Sequence, residues 1–501
     1  MVQKPIKKTS KQPTILNVLF AVWEVEPFLK VGGLGEVARS LPRALKSMGV
    51  DIRLVIPHYK ALNVLGQRKK KVAEFTVFYG KQKVAITIHK IFFLTTDIPV
   101  YLIGNKEYFD KPIPETFVIF GLAVVEALKA GLFGTWRPDI VHCNDNHCGL
   151  IPLLIKVNNL NIKTLLTIHC ISHQRSFAAV IADKLHIPRE SLSMVKWESE
   201  THQFNLLLEG IVNADWINTV SPTYLKEIQT EEHGAGLDVA VRGNMYKTSA
   251  ILNGIDYTLK NPATNIFLGV RYSAKEKDSV NDAAVVDITR GKQINKKKLQ
   301  ERLSLPVNAS IPVIGYIGRF DQKQKGIDLI HRMIVREALK ECQFVIMGQG
   351  EESWEERFHL LRAFNPDRIA VVTVYDDELA SLIYAASDFM MIPSYYEPCC
   401  LIQMNAMRYG ALPIARATGG LNDTVINGKN GYIFTNSSSI ELENMIISAL
   451  RVKTTNPKKH YRMVESAMKR DFSWTESAKQ YMMLYQSILA TPPKLVTSKI
   501  L

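Results

Sequence analysis

The chain has 501 residues, 47% hydrophobic and 22% charged. That balance excludes a chain disordered throughout, a collagen-like fibre and a small disulfide-stapled module. Lys and Arg number 62 against 48 Asp and Glu, a net charge of +14, and no zinc-finger spacing or aromatic RNA-binding signature accompanies it, so nucleic acid is not expected as a partner.

Part of the excess charge is local. Lys4, Lys7, Lys8 and Lys11 lie in a tail over residues 1–14 that has no acid. Arg68, Lys69, Lys70 and Lys71 form one run, and Lys292, Lys296, Lys297 and Lys298 another. These runs read as solvated loops, with attraction to an anionic partner as the alternative.

From Ile15 to Val22 an apolar, branched run predicts a buried parallel strand. The glycine-rich turn Lys30-Val-Gly-Gly-Leu-Gly35 follows, then helical spacing from Glu36 to Met48, closed by Gly49, and a strand from Asp51 to Pro57. Phe117 to Val125 is the longest apolar stretch. It is far short of the roughly 20 residues a membrane helix needs, so no membrane partner is expected. Helices are expected over 117–133 and 148–157, and strands at Asp139–His142, Lys163–Ile168 and Asp215–Val220.

A weakly patterned, Lys-rich stretch from Ser273 to Asn308 separates this half from a second one. Strands are expected at Ile311–Ile317, Gln343–Met347, Ile369–Val374, Phe389–Pro393 and Leu412–Ala417. Helices are expected at Gly326–Lys340, 377–387 and 401–409. Strands alternating with helices predict an α/β chain with two doubly wound parallel sheets. Ligands of such sheets bind beyond the carboxyl ends of the strands, where the polar and glycine-rich turns of this chain fall.

Six cysteines without a CxxC pair, two of them vicinal (Cys399 and Cys400), indicate free thiols in a reducing compartment. The polar N-terminal tail lacks the apolar stretch of a secretory signal. A cytoplasmic location is expected, with a plastid one left open.

Several turns carry residues fit for chemistry. Lys30 beside Gly32 and Gly33 at a helix start can face an anion. Arg319 follows one strand and Lys325 opens the next helix, a pair suited to clamping a diphosphate. Thr418, Gly419, Gly420 and Leu421 offer donors at a third turn. Glu397, after another strand, can accept hydrogen bonds from sugar hydroxyls. Asp145, His147 and His169 stand at the tips of two strands, and Tyr375 can stack on a flat base. Taken singly, each also fits an ordinary loop or packing position. No HExxH, GxSxG or metal-ligand cluster occurs, and no metal or other cofactor is expected if Arg319 and Lys325 neutralise the diphosphate.

In order along the chain, these motifs resemble bacterial-type glycogen and starch synthases. The carriers are Lys30-Val-Gly-Gly-Leu-Gly-Glu-Val37, His142…Asp145…His147, Thr167-Ile-His169, Asn218-Thr-Val-Ser-Pro-Thr-Tyr224, Ile251-Leu-Asn-Gly-Ile-Asp256, Gly318-Arg319, Gln324-Lys-Gly326, Glu397-Pro-Cys399, Arg408-Tyr-Gly410, Thr418-Gly-Gly-Leu421 and Asp471-Phe-Ser-Trp474. The resemblance implies the GT-B fold, two Rossmann-like domains facing an interdomain cleft. The expected division is a flexible tail over 1–14, an N-terminal domain over 15–272 and a Lys-rich linker over 273–308. A nucleotide-sugar domain over 309–472 and a helix over 473–490 crossing back complete it.

The implied activity is retaining transfer of glucose from a nucleotide sugar, ADP-glucose favoured over UDP-glucose, to the non-reducing end of an α-1,4-glucan. The alternatives are another acceptor, or a non-catalytic relative that binds glucan or nucleotide. By resemblance, Arg319 and Lys325 hold the diphosphate, with Lys30, Gly32, Gly33 and Thr418 to Leu421 around it. Glu397 positions the glucose, Tyr375 meets the base, His169 sits near the reacting carbon and Asp145 supports the acceptor side. The chain departs from the family at Asn146, Cys170, His173-Gln174-Arg175, Leu208, Glu209, Cys400 and Asn405, and Arg319 and Lys325 are one residue further apart than usual. These departures cluster on the acceptor and sugar side.

Overall fold

The computed structural model describes residues 15–64, 66–93, 96–110, 114–174, 176–178, 180–188, 191–193, 203–274 and 285–491. The basic tail and Arg175 lie outside them. The chain packs as two units. One comprises the described parts of Met1–Asn218, Ala235–Thr248 and Ala478–Leu501; the other comprises those of Thr219–Gly234 and Ser249–Ser477.

In the first unit the strand Asn17–Ala21 pairs in parallel with both Asp51–Pro57 and Ile140–Asn144. In space the strands run Thr248–Ala250, Trp216–Thr219, Lys163–Ile168, Ile140–Asn144, Asn17–Ala21, Asp51–Pro57, Pro99–Gly104, Gln82–Phe92 and Lys70–Tyr79. Val18 to Ala21 are fully buried, as a strand covered on both faces requires. The chain leaves Asn17–Ala21 toward one edge and later returns to its other side at Ile140–Asn144. The crevice beyond those two strands is therefore the sheet's switch point.

The outermost strands form an antiparallel hairpin, Lys70–Tyr79 with Gln82–Phe92. Lys70 and Lys71 open its edge strand instead of lying in the loop expected for that run, and lysines there discourage pairing with another chain.

In the second unit six strands are all parallel, in the order Ile369–Val372, Gln343–Met347, Val313–Ile317, Phe389–Ile392, Leu412–Arg416 and Tyr432–Phe434. Here the switch point lies between Val313–Ile317 and Phe389–Ile392, because the chain moves to one side of the former and then returns to the other.

Two expected boundaries need correction. Residues 249–272 pack with the second unit, not the N-terminal domain. Asn265 Nδ2 donates to Tyr409 OH at 2.7 Å, Tyr272 OH to Tyr409 O at 2.7 Å and Arg408 Nη2 to Asn261 Oδ1 at 3.0 Å. The stretch 273–308 is not a plain linker, since Ile288–Arg302 is a helix capped by Asp287.

The second lysine run lies on that helix and is not solvated throughout. Lys296 is 4% exposed, its Nζ 2.7 Å from Asp388 Oδ2, and Lys453 pairs with the other oxygen. Sequence periodicity hides this helix because its buried face includes Asn295, Lys296 and Gln300 beside Ile288 and Leu299.

The last helix, Trp474–Ala490, belongs with the first unit from Ala478 onward. Tyr485 OH lies 2.8 Å from His142 Nδ1, and Asn218 Nδ2 donates to Tyr481 OH at 3.0 Å.

Candidate active site

At the second unit's switch point, two strand ends are tied together by the backbone. Tyr395 N donates to Gln324 O at 2.8 Å. The short helix Gln322–Lys325 stops at Gly326, whose φ is +63° and where a Cβ would lie 2.2 Å from Pro393 O. Only glycine satisfies both conditions. The result sets Lys325 beside the loop that carries Glu397. Lys325 Nζ lies 2.6 Å from Glu397 Oε2, and Ser394 Oγ donates to the same oxygen at 3.1 Å.

Burial is the strongest single influence and pushes the Lys325 ammonium down, but the charge and hydrogen bond of Glu397 together with Cys400 outweigh it and hold the pKa above its ordinary value. Arg319 follows Val313–Ile317, donates through Nη2 to Gln324 Oε1 at 2.6 Å, and keeps a half-exposed side chain. Arg319, Lys325 and Glu397 are thus brought together.

Thr418, Gly419, Gly420 and Leu421 lie against this group but do not fit the expected role of phosphate donors. Gly419 N and Thr418 Oγ1 donate to Glu227 Oε1 at 2.9 and 3.1 Å. Gly420 N donates to Glu397 O and Pro398 O, and Leu421 N to Thr418 O. Their groups are spent inside the protein because the turn packs on backbone: a Cβ on Gly419 would lie 1.8 Å from Glu397 O. Tyr375 is half-exposed and donates to Asp377 Oδ1 at 3.0 Å. Cys400 sits beside Glu397 with a φ of +60°, and burial pushes its thiol up to about 12.

The first unit gathers a second group at its own switch point. Asp145, with φ +58°, follows Ile140–Asn144, and its Oδ1 accepts from His169 N at 2.6 Å and Cys170 N at 3.3 Å. Burial, aided by the charge of Glu24, pushes the Asp145 carboxyl up to about 7 against those two donors. Asn144 Nδ2 donates to Ala21 O, which turns its Oδ1 toward His169 Nε2 at 3.0 Å. His169 therefore carries its proton on Nε2, and burial lowers its pKa to about 3, so the ring is neutral near pH 7.

His147 is structural here, stacked on Trp23 at 4.5 Å and edge-on to Phe117 at 4.4 Å. The glycine-rich turn also needs correction. Val31 N and Gly32 N donate to the buried Glu24 rather than outward, and Lys30 Nζ reaches Glu26 at 3.3 Å. Gly33 alone of the pair has open space around the position of a Cβ.

Sequence reasoning missed Glu24 and Glu227. Each is an acidic residue just after a strand or within a short helix, with no motif to mark it. Among the described residues no group of three His, Cys, Asp or Glu could hold a metal ion, and no helix of theirs is long and apolar enough to cross a membrane.

Comparison with known proteins fits this geometry. Residues 17–243 match the starch synthase catalytic domain model, and residues 298–470 match glycosyl transferases group 1. The glycogen synthase of Clostridium novyi is 36% identical over 497 residues, covering 95% of this chain and 99% of the relative. That of Caldicellulosiruptor saccharolyticus is 38% identical, covering 95% of this chain and 100% of the relative.

The chain belongs to the glycogen synthase family.

Among solved structures, this glycogen synthase family member matches the catalytic domain of starch synthase IV from Arabidopsis thaliana, bound to ADP and acarbose. That match has a TM-score of 0.84 and 29% identity over 95% of this chain and 100% of the other. Sucrose-phosphate synthase from Thermosynechococcus elongatus, at TM-score 0.61 and 18% identity, shares the fold alone. The two Rossmann-like units are those of the GT-B glycosyltransferases, and the family is one of glycogen and starch synthases.

Proposed function

We propose that this chain transfers glucose from a nucleotide sugar, ADP-glucose in preference to UDP-glucose, to the non-reducing end of an α-1,4-glucan with retention of configuration. The observation that carries the reading is the grouping of Arg319, Lys325 and Glu397 at the second unit's switch point in a member of this family. The lean toward ADP rests on the starch synthase IV relative, whose structure holds ADP.

In this reading the two cations meet the diphosphate and stabilise its charge as the bond to glucose breaks. Glu397 accepts from the glucose hydroxyls and keeps Lys325 oriented. Tyr375 supplies a ring face for the base. His169, neutral and fixed by Asn144, meets the glucose without adding a charge near the reacting carbon. Asp145 holds the backbone of His169 and serves the acceptor side. Retention follows a front-face course, in which the departing phosphate takes the proton of the incoming 4-hydroxyl. The motif residues offer no clear carboxylate nucleophile other than Glu397, whose Oε2 is held by Lys325 and Ser394, so the double-displacement route is not favoured.

The test is incubation with glucose-labelled ADP-glucose or UDP-glucose and glycogen. Label recovered in the polymer, more from ADP-glucose, is the expected result. Label in a small glycoside points to another acceptor. Nucleotide binding without turnover overturns the assignment.

A further inference from the structure

The segment Thr219–Gly234 lies in sequence between two stretches of the first unit but packs in the second. It meets the turn at Thr418 through an exchange of carboxylates. Asp423, near the end of the helix Gly419–Thr424, accepts from Ser221 Oγ, from Thr223 N at 3.0 Å and from Thr223 Oγ1 at 2.6 Å. It thereby takes up a first-turn N–H of the helix Pro222–Glu227, beside the N-cap Ser221, whose Oγ accepts from Tyr224 N at 3.0 Å. Glu227, at the far end of that helix, returns to the start of the other and accepts from Gly419 N and Thr418 Oγ1.

The two halves of this exchange have different neighbours. The Asp423 carboxylate meets the start of the anchoring helix at Ser221 and Thr223, while its backbone oxygen accepts from Arg470 Nη2 at 3.2 Å. Glu227 holds the turn whose next residue, Gly420, donates to Glu397 O at 3.2 Å, and Glu397 in turn holds Lys325. Gly419 lies so close to Glu397 O that no side chain fits between them. Displacement of this turn therefore displaces the Glu397 backbone.

We propose that Glu227 is a positioning residue of the donor site, fixing the Thr418–Gly419 turn so that Glu397 and Lys325 keep their pairing, while Asp423 serves stability alone. This deepens the function proposed above and rests on its placing of Glu397 and Lys325 at the donor. Glu227 acts through the turn and needs no contact with substrate.

The test compares Glu227→Ala, Glu227→Asp, Glu227→Gln and Asp423→Ala in the full chain. Readouts are ADP affinity by calorimetry, KM and kcat for ADP-glucose, and thermal midpoint. Glu227→Ala, and Glu227→Asp with its shorter reach, are expected to weaken ADP binding and raise KM by about tenfold or more, the scale of losing hydrogen bonds to a charged acceptor. Glu227→Gln keeps an acceptor oxygen and restores most of the affinity. Asp423→Ala lowers the midpoint but leaves ADP affinity and KM near wild type.

Equal losses of midpoint in Glu227→Ala and Asp423→Ala with unchanged ADP affinity overturn the proposal. If Glu227→Ala does not fold, Glu227→Asp decides, and wild-type affinity in it is the overturning result. Should the wild type transfer no glucose while Glu227 variants still weaken ADP binding, this inference stands and the transfer reading falls.

Discussion

Lys325 Nζ and Glu397 Oε2 are 2.6 Å apart, and Glu397 is 5% exposed. Removing the lysine leaves a buried carboxylate without its cation, which costs about 3–5 kcal/mol in comparable pairs. Lys325→Ala and Glu397→Ala are both expected to reduce glucosyl transfer by about a hundredfold or more. Lys325→Ala is also expected to lose stability, part of which returns in Lys325→Ala/Glu397→Gln without return of activity. Urea unfolding and initial rates measure the two effects, and wild-type rates in either single variant refute the site assignment.

Asp145 is expected to make stability pH-dependent. Its folded pKa of about 7 lies above the unfolded value of about 3.9. The folded state therefore binds the proton more tightly. The contribution is full below pH 4 and is lost as pH rises through about 7. Asn at this position accepts the same two N–H donors without ionising. The thermal midpoint of Asp145→Asn relative to wild type is expected to climb between pH 5 and pH 8. Parallel profiles would refute it.

Gly419→Ala places a methyl group 1.8 Å from Glu397 O at a φ of +43°. A backbone atom cannot step aside as a flexible side chain does. The substitution is expected to destabilise by about 1–3 kcal/mol or more and to impair transfer, read from denaturation midpoint and rate together. A silent Gly419→Ala would show that the turn has slack.

Cys400 holds a left-handed backbone at φ +60° with a side chain that disfavours it. Cys400→Gly relieves about 1 kcal/mol of that cost. A rise of a few degrees in the thermal midpoint with activity retained is the expected outcome. A fall in midpoint means the Cys400 side chain contributes more by packing than its backbone costs.

Lys296 and Asp388 pair at the amino end of Phe389–Ile392, opposite the end that carries Glu397. Lys296→Ala is expected to destabilise by about 1–3 kcal/mol, Asp388 keeping Lys453 as its remaining cation, while KM for the nucleotide sugar stays unchanged. A changed KM with unchanged stability contradicts this division between the two ends of the strand.

Apolar runs such as Val18 to Ala21, bounded by turn residues, mark buried parallel strands in one dimension, and the polar turns after them mark the candidate residues; the parallel strands Pro99–Gly104 and Tyr432–Phe434 are not among those such runs predict. Lys325, Arg319 and Glu397 were legible because a cation pair and a carboxylate each followed a predicted strand. How the turns spend their hydrogen bonds is settled by partners that the fold brings in from elsewhere in the chain. The glycine-rich turns look open to an anion in one dimension, yet Glu24 and Glu227 fill them from residues that no local pattern marks. The Lys292 to Lys298 run shows the same limit. Periodicity reports which residues are apolar, whereas burial of Lys296 depends on Asp388, 92 positions away. A buried charge is settled by its partner, and partners distant in the chain are chosen by the fold.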